Sequence, residues 1–214
     1  MLALRAASLD RGGRRLFAGV ELRLEPGRLY VATGGNGAGK TSLLKLMAGL
    51  LEPDAGAVEW DGVELAEAGG GYRGALMLLG HKHGLKLDLT AVENLELAQA
   101  LAGGRPLLDP AAACAKLGLD EAACAQPCRR LSAGQLRRAG LARLLLNEAR
   151  LWLLDEPFAN LDAAGRATLR QLLAEHLGRG GTAALTTHVE MDWGDLAAER
   201  IELAALAAAD GGDA

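Results

Sequence analysis

Aromatic residues make up only 3% of this 214-residue chain, and basic charge is not in excess. The 23 Lys and Arg stand against 27 Asp and Glu, a formal net charge of -4. That balance offers no basic face for nucleic acid, so none is expected as a partner. Long apolar runs are missing as well. Hydrophobic residues reach 50%, but the richest stretches are interrupted by Arg143, Asn147, Glu148 and Arg150. None attains the ~20 uncharged residues that a membrane-spanning helix needs. The start, Met1-Leu-Ala-Leu-Arg5, has neither the n-region nor the h-region of a signal peptide, which predicts a chain that stays in the cytoplasm. Cysteine is scarce: Cys114, Cys124 and Cys128 share one stretch without C-x-x-C pairing. That spacing argues poorly for a disulfide or a zinc site, and better for small apolar side chains in or near a helical core. No internal repeat is visible, and the abundance of Ala, Gly and Leu follows from genomic base composition. The length suits one domain, or one with a modest insert, around a substantial core.

Against these absences stands Thr33-Gly-Gly-Asn-Gly-Ala-Gly-Lys-Thr-Ser42. Gly34, Gly39, Lys40 and Thr41 fit G-x-x-x-x-G-K-[ST], the phosphate-binding loop of P-loop nucleotidases. Glycines let the backbone wrap a phosphate without Cβ clashes. The successive N–H groups of Gly34, Gly35, Asn36, Gly37, Ala38, Gly39 and Ser42 can then form an anion nest at a helix start. Lys40 would reach the β- and γ-phosphates, and the Thr41 hydroxyl would ligate Mg²⁺. The context suits the motif: Arg28–Thr33 is a β-rich apolar run, and Ser42–Gly49 is helix-like. A nucleoside triphosphate is therefore the expected ligand.

Residues 2–9 and 20–24 read as two strands flanking a polar turn, Asp10 to Arg15. Ala57–Trp60 reads as a strand, Asp61-Gly62 as a hairpin turn, and the glycine-rich Glu67–Gly74 as a surface loop. Leu76–Leu79 is an apolar strand ending in Gly80-His-Lys-His-Gly84. From Thr90 to Cys128 the text is helical. Thr90-Ala-Val-Glu93 opens a helix as a capping box, Gly103-Gly104 and Pro106 break it, and a second helix runs from about Asp109 to Leu117. Leu151–Leu154 is an all-apolar run suited to a parallel strand covered on both faces. A helix from about Ala163 to Leu177 and a buried strand over 182–187 follow. The Ala-rich and then Asp/Gly-rich tail after Leu203 is expected to fray.

Three further constellations carry chemistry. Leu151-Trp-Leu-Leu-Asp155-Glu156 ends a hydrophobic strand in two carboxylates, where ligands of an α/β sheet gather. Asp155 would hold Mg²⁺ directly or through water, and Glu156 would polarise an attacking water. Leu131-Ser-Ala-Gly-Gln135 precedes a helical run, and its turn offers a hydroxyl, backbone N–H groups and a positive dipole end. His188 closes the strand over 182–187.

In this order, the Leu131–Gln135 turn resembles the LSAGQ signature of ATP-binding-cassette (ABC) ATPases. Ala159-Asn-Leu-Asp162 resembles that family's D-loop, and His188 its switch histidine. The resemblance spans nearly the whole chain. It implies an α/β P-loop NTPase (RecA-like) core, in lobes 1–80 and 147–214, with an N-terminal antiparallel β subdomain. It also implies an inserted α-helical subdomain over about 81–146. It further implies ATP and Mg²⁺ as cofactors, with Lys40, Glu156 and His188 acting in catalysis. Two copies would pack head to tail, so that ATP on one loop meets Ser132, Gly134, Gln135 and Asp162 of the other.

Within the family the chain looks most like the ATP-binding subunits of the haem exporter of cytochrome c maturation. The carrying stretches are Leu136–Arg143, Leu79–Lys86, Leu89–Leu95, Leu151–Phe158 and Thr186–His188. That likeness implies a separate membrane-spanning subunit, further cytochrome c maturation membrane proteins, and a peripheral place on the cytoplasmic face of the bacterial inner membrane. It leaves open haem export against release of a haem-loaded chaperone. The alternatives are another ABC transporter or a soluble ABC ATPase of a cytoplasmic assembly system.

Three positions depart from the family pattern; the first, Gly35, replaces the usual proline of the loop and is expected to loosen it slightly without removing an N–H donor. Lys82 falls where the Q-loop glutamine is expected; a lysine ammonium only donates, so it offsets γ-phosphate charge or points to solvent. Arg11 stands where an aromatic commonly stacks on adenine, and either stacks in its place or lies in a solvated turn.

Overall fold

The computed structural model describes residues 1–102, 107–188 and 191–203. Two sheets organise them. The first is antiparallel, in the order β2-β1-β4-β5, with β1 (Leu2–Arg11), β2 (Arg14–Leu24), β4 (Ala55–Trp60) and β5 (Val63–Glu64). The β1–β2 strands run longer than their apolar pattern suggests. The turn between them shrinks to Gly12-Gly13, whose φ values of 60° and 74° match the two left-handed positions of a tight hairpin. The Asp61-Gly62 turn joins β4 and β5 as expected.

The second sheet is parallel throughout, in the order β6-β7-β8-β3-β9. Its strands are β3 (Leu29–Thr33), β6 (Leu76–Leu79), β7 (Leu151–Leu154), β8 (Thr182–Thr186) and β9 (Ala198–Glu202). Side chains alternate between its faces, as the strand period of two requires. Leu29, Val31, Trp152, Leu154, Ala183 and Leu185 enter one apolar cluster with helices α3 (Ala91–Ala102), α4 (Pro110–Lys116), α6 (Ala133–Ala142) and α7 (Ala163–Gly178). Tyr30, Ala32, Leu151, Leu153 and Ala184 enter a second cluster, shared with the antiparallel sheet and α1 (Lys40–Met47). With α5 (Glu121–Cys124), these elements make an α/β P-loop NTPase fold.

Several local expectations hold. Thr90 and Glu93 exchange backbone-to-side-chain hydrogen bonds at the start of α3, and Asp109 caps α4 by accepting from the Ala112 N–H. Cys114 and Cys128 are buried and Cys124 is partly so, with no disulfide among them. The expected break at Gly103, Gly104 and Pro106 and the tail after Leu203 lie outside the described residues.

One expectation is corrected, and one strand has no sequence signal. The segment expected as a loop over Glu67–Gly74 lies inside a helix, α2 (Leu65–Ala75), kinked at Gly69. Its glycines disfavour a helix, but Tyr72 is buried, packs its ring 5.1 Å from Trp60 and donates its hydroxyl to the Met47 carbonyl. That anchor outweighs the propensity. Strand β9 was not anticipated, because only Ile201 is buried in its Ala-Glu-Arg-Ile-Glu sequence.

Candidate active site

The sheet order explains the site. Strands β3 and β7, which end in the glycine loop and the carboxylate pair, are not neighbours; β8 lies between them. The last residue of β8, Thr186, therefore sits at the seam and is fully buried. Its hydroxyl donates to Asp155 Oδ1 at 2.7 Å and accepts from the Glu156 N–H at 2.9 Å.

The glycine loop is a backbone device. Gly34 and Gly39 have φ of 145° and 97°, and a Cβ on Gly34 would lie 3.0 Å from the Ala38 side chain. Helix α1 starts after Gly39 with no side-chain cap and no acidic residue in its first turn. Its leading N–H groups and positive dipole end are thus left for an anion. By contrast α4, α6 and α7 are capped by the side chains of Asp109, Ser132 and Asp162. Lys40 is 8% exposed, and its Nζ donates to the carbonyls of Gly34 at 2.7 Å and Gly35 at 3.0 Å.

A cavity of about 420 Å³ is lined by Asn36 to Ser42, Leu16, His81, Asp155, Glu156 and His188. Thr41 Oγ1 donates to Asp155 Oδ2 at 2.9 Å. Two cis ligands on an octahedral cation with bonds near 2.1 Å lie about 3 Å apart, so this pair fits a small hard divalent ion. No group of three or more His, Cys, Asp or Glu gathers for a metal among the described residues.

Glu156 takes φ of 50°, a left-handed conformation that costs a non-glycine residue about 1–2 kcal/mol. Its Oε2 accepts from the His188 N–H at 3.1 Å. Its Oε1 is buried with no hydrogen-bond partner of acceptable geometry, although His188 Nε2 lies 3.2 Å away. Thr186 holds the Glu156 backbone N–H and His188 flanks the carboxylate, which stands at the cavity wall with one oxygen free of hydrogen bonds.

The expected residues thus separate into two groups. Asn36 to Ser42, Asp155, Glu156 and His188 converge on the cavity, while Gly34 and Gly35 hold Lys40 from behind. Ser132, Gly134, Gln135 and Asp162 do not line it. They form a second cluster, in which Ser132 and Gln135 close a reciprocal capping box and Gly134 lies against the Asn160 carbonyl. The Gly165 N–H holds the Asp162 carboxyl below its ordinary pKa, with Arg138 Nη2 adding to this from 2.6 Å.

Lys82 is exposed and does not line the cavity; its neighbour His81 does. Arg11 is exposed at the hairpin, and Leu16 is the β2 residue beside the loop. Thr186, His81 and Leu16 are therefore the site residues that sequence reasoning passed over. Thr186 carried the only usable signal, as the polar end of an apolar strand leading to His188.

Comparison with known proteins gives the family. The model of the ABC transporter family matches residues 17–159. The cytochrome c biogenesis ATP-binding export protein CcmA of Nitrosomonas europaea is 43% identical over 192 residues, covering 89% of this chain and 90% of the relative. The protein of that name from Shigella sonnei is 41% identical over 98% of this chain and 99% of its own length. Among solved structures, an ATP-binding subunit of an ABC transporter aligns with a TM-score of 0.78 at 28% identity, over 88% of this chain and 80% of that one. A dimeric ATP-binding cassette bound to ADP and Pi in a post-hydrolysis state shares the fold, with a TM-score of 0.77 at 24% identity, over 88% of each chain. The chain belongs to the ABC transporter family, as an ATP-binding, ATP-hydrolysing subunit.

Proposed function

We propose that this chain drives an export step of cytochrome c biogenesis, hydrolysing ATP on the cytoplasmic face of the bacterial inner membrane beside a membrane-spanning subunit. The names borne by its relatives motivate the export step of cytochrome c biogenesis, and the sequence resemblance motivates the cargo class, haem or a haem-loaded chaperone. The observation that carries the chemistry is the Glu156 carboxylate lining the same cavity as Lys40 and Thr41, with one oxygen that no hydrogen bond satisfies.

The N–H groups of the glycine loop and Lys40 hold the β- and γ-phosphates. Thr41 and Asp155 are placed to hold Mg²⁺, which when bound neutralises charge developing on the phosphate oxygens. Glu156 Oε1 accepts a proton from the attacking water. The water oxygen bonds to the γ-phosphorus while the bond to the β–γ bridging oxygen breaks, giving ADP and phosphate. His188 sits beside Glu156 and keeps a ring nitrogen at the cavity edge.

Ser132, Gly134, Gln135 and Asp162 stand apart from this cavity, which favours a second copy supplying them to the nucleotide in a head-to-tail dimer. A separate groove of about 950 Å³ lies between the sheet edge and α3, bordered by Leu50, Leu101, Lys86 and Arg143. Leu101 is 80% exposed and the Arg143 Nε is buried without a partner. These features suit a docked segment of the membrane subunit that carries a carboxylate.

Complementation tests the reading. In a strain lacking its own cytochrome c biogenesis ATPase, the parent chain is expected to restore c-type cytochromes and Glu156→Gln is not. Restoration by both, or by neither with the chain present at the membrane, overturns it.

A further inference from the structure

The catalytic turn of this protein is gripped by a residue from the other cluster. Arg137, on α6 just past Gln135, is 4% exposed. Its Nη2 donates to the carbonyls of Asp155 at 2.9 Å and Glu156 at 2.5 Å, and its Nε donates to the Pro157 carbonyl at 3.2 Å. Three successive peptide carbonyls around the residue at φ 50° thus meet one guanidinium.

The contact continues along α6. Arg138 Nη1 reaches the Leu117 carbonyl and its Nη2 reaches Asp162. A Cβ on Gly134 would lie 3.0 Å from the carbonyl of Asn160, the other left-handed residue of this segment, with φ of 61°. Both strained residues between Asp155 and Asp162 therefore have their carbonyls met by α6. A planar guanidinium presents several donors in a fixed fork, which an ammonium on a flexible stem does not.

We propose that Arg137 is a positioning residue that holds the Glu156 turn in its left-handed conformation and locks it to the Ser132–Gln135 turn. The first half rests on Glu156 as the group that activates water; the second rests on the dimer reading above. A backbone released from this fork relaxes toward ordinary φ and swings the Glu156 carboxylate away from its place on the cavity wall, while the loop, Lys40 and Thr41 stay in place. Arg137 itself touches no reacting atom, so its loss is read in kcat and not in nucleotide affinity.

The test is ATP turnover by purified Arg137→Met and Arg137→Lys, normalised to the nucleotide-binding-competent fraction measured by titration with a fluorescent ATP analogue. Arg137→Met is expected to lose about 10²-fold in kcat, the scale of a small misplacement of a reacting group, with KM within about two-fold. Arg137→Lys, which keeps the charge and the stem, is expected to recover part of that loss. If Arg137→Met fails to fold, Arg137→Lys alone carries the test. An unchanged kcat per competent molecule in Arg137→Met, or a parent rate in Arg137→Lys, overturns the proposal. Glu156→Gln is run alongside: a parent rate there identifies the water-activating assignment as the part that fails.

Discussion

His188 closes on Glu156 from two sides, with its backbone N–H 3.1 Å from Oε2 and its ring Nε2 3.2 Å from Oε1. The carboxylate is thereby fixed at one end while its second oxygen stays without a hydrogen bond. Glu156→Gln is expected to lower phosphate release by at least about 10²-fold, the contribution of a positioned base, while ATP binding persists. With hydrolysis blocked, size-exclusion chromatography in ATP should show the variant as a dimer. His188→Ala should also lower kcat, since it removes the ring beside Oε1 and a cavity wall while the backbone N–H on Oε2 stays. A Glu156→Gln protein that turns over normally sinks both expectations.

Thr186 holds Asp155 Oδ1, leaving Oδ2 to face Thr41. Thr186→Val keeps the shape and removes the donor, so the Asp155 carboxylate loses its orientation. The Mg²⁺ concentration for half-maximal turnover is expected to rise about ten-fold, equivalent to ~1.4 kcal/mol. A titration of rate against Mg²⁺ at saturating ATP checks it, and an unmoved midpoint refutes it.

His81 lines the phosphate cavity and Lys82 does not. His81→Ala is therefore expected to change the rate of the isolated chain more than Lys82→Gln does. Steady-state phosphate release from the two variants decides. A larger effect from Lys82→Gln would return the lysine to the site.

Arg143 borders the groove beneath α3, where burial pushes its guanidinium below the ordinary arginine value. No carboxylate pairs with it among the described residues. Arg143→Glu is expected to weaken co-sedimentation with membranes holding the partner subunit and to leave ATP turnover of the isolated chain within about two-fold. Equal co-sedimentation of parent and variant rules out this groove as the membrane contact.

His176 stacks on Trp152 at 3.9 Å, and its Nε2 lies 3.1 Å from the Thr182 carbonyl. Burial lowers its pKa to about 4, assisted by Arg179. The unfolded chain then binds the extra proton between pH 6.5 and 4, so stability is fully present above that window and falls as pH drops through it. The loss reaches about 3 kcal/mol at the lower end. Urea unfolding at pH 7.5 and 5 measures the slope, and His176→Gln should flatten it. A parent protein equally stable at both values contradicts the assignment.

Much of this fold was legible because its strongest signals are local. The loop at Gly34–Thr41 is dictated by phosphate geometry, the Leu151–Leu154 strand by uninterrupted apolar residues, and the starts of α3 and α4 by capping side chains. The rest depends on contacts distant in sequence. Helix α2 exists because Tyr72 finds Trp60 and Met47, and β9 because β3 offers it an edge. The roles of Thr186 and Arg137 follow from strand order and from α6 lying on the turn after β7, neither of which has a periodicity to read. Lys82 and His81 differ by one position along an irregular segment, where side-chain direction has no rule in the text.

The parallel sheet divides the interior into two separate apolar clusters, one holding α1 and the other holding α6. Lys40 and Thr41 are rooted in the first layer, while the turn that the proposed dimer would present to a second copy is rooted in the other. The protein is thus built like a hand tool with a fixed jaw and a moving jaw sharing one stiff plate. On the proposed dimer, repacking α1 would alter how firmly a chain keeps its own nucleotide, and repacking α6 how it meets its neighbour's. The two properties can drift independently, and Arg137 is the rivet that limits how far.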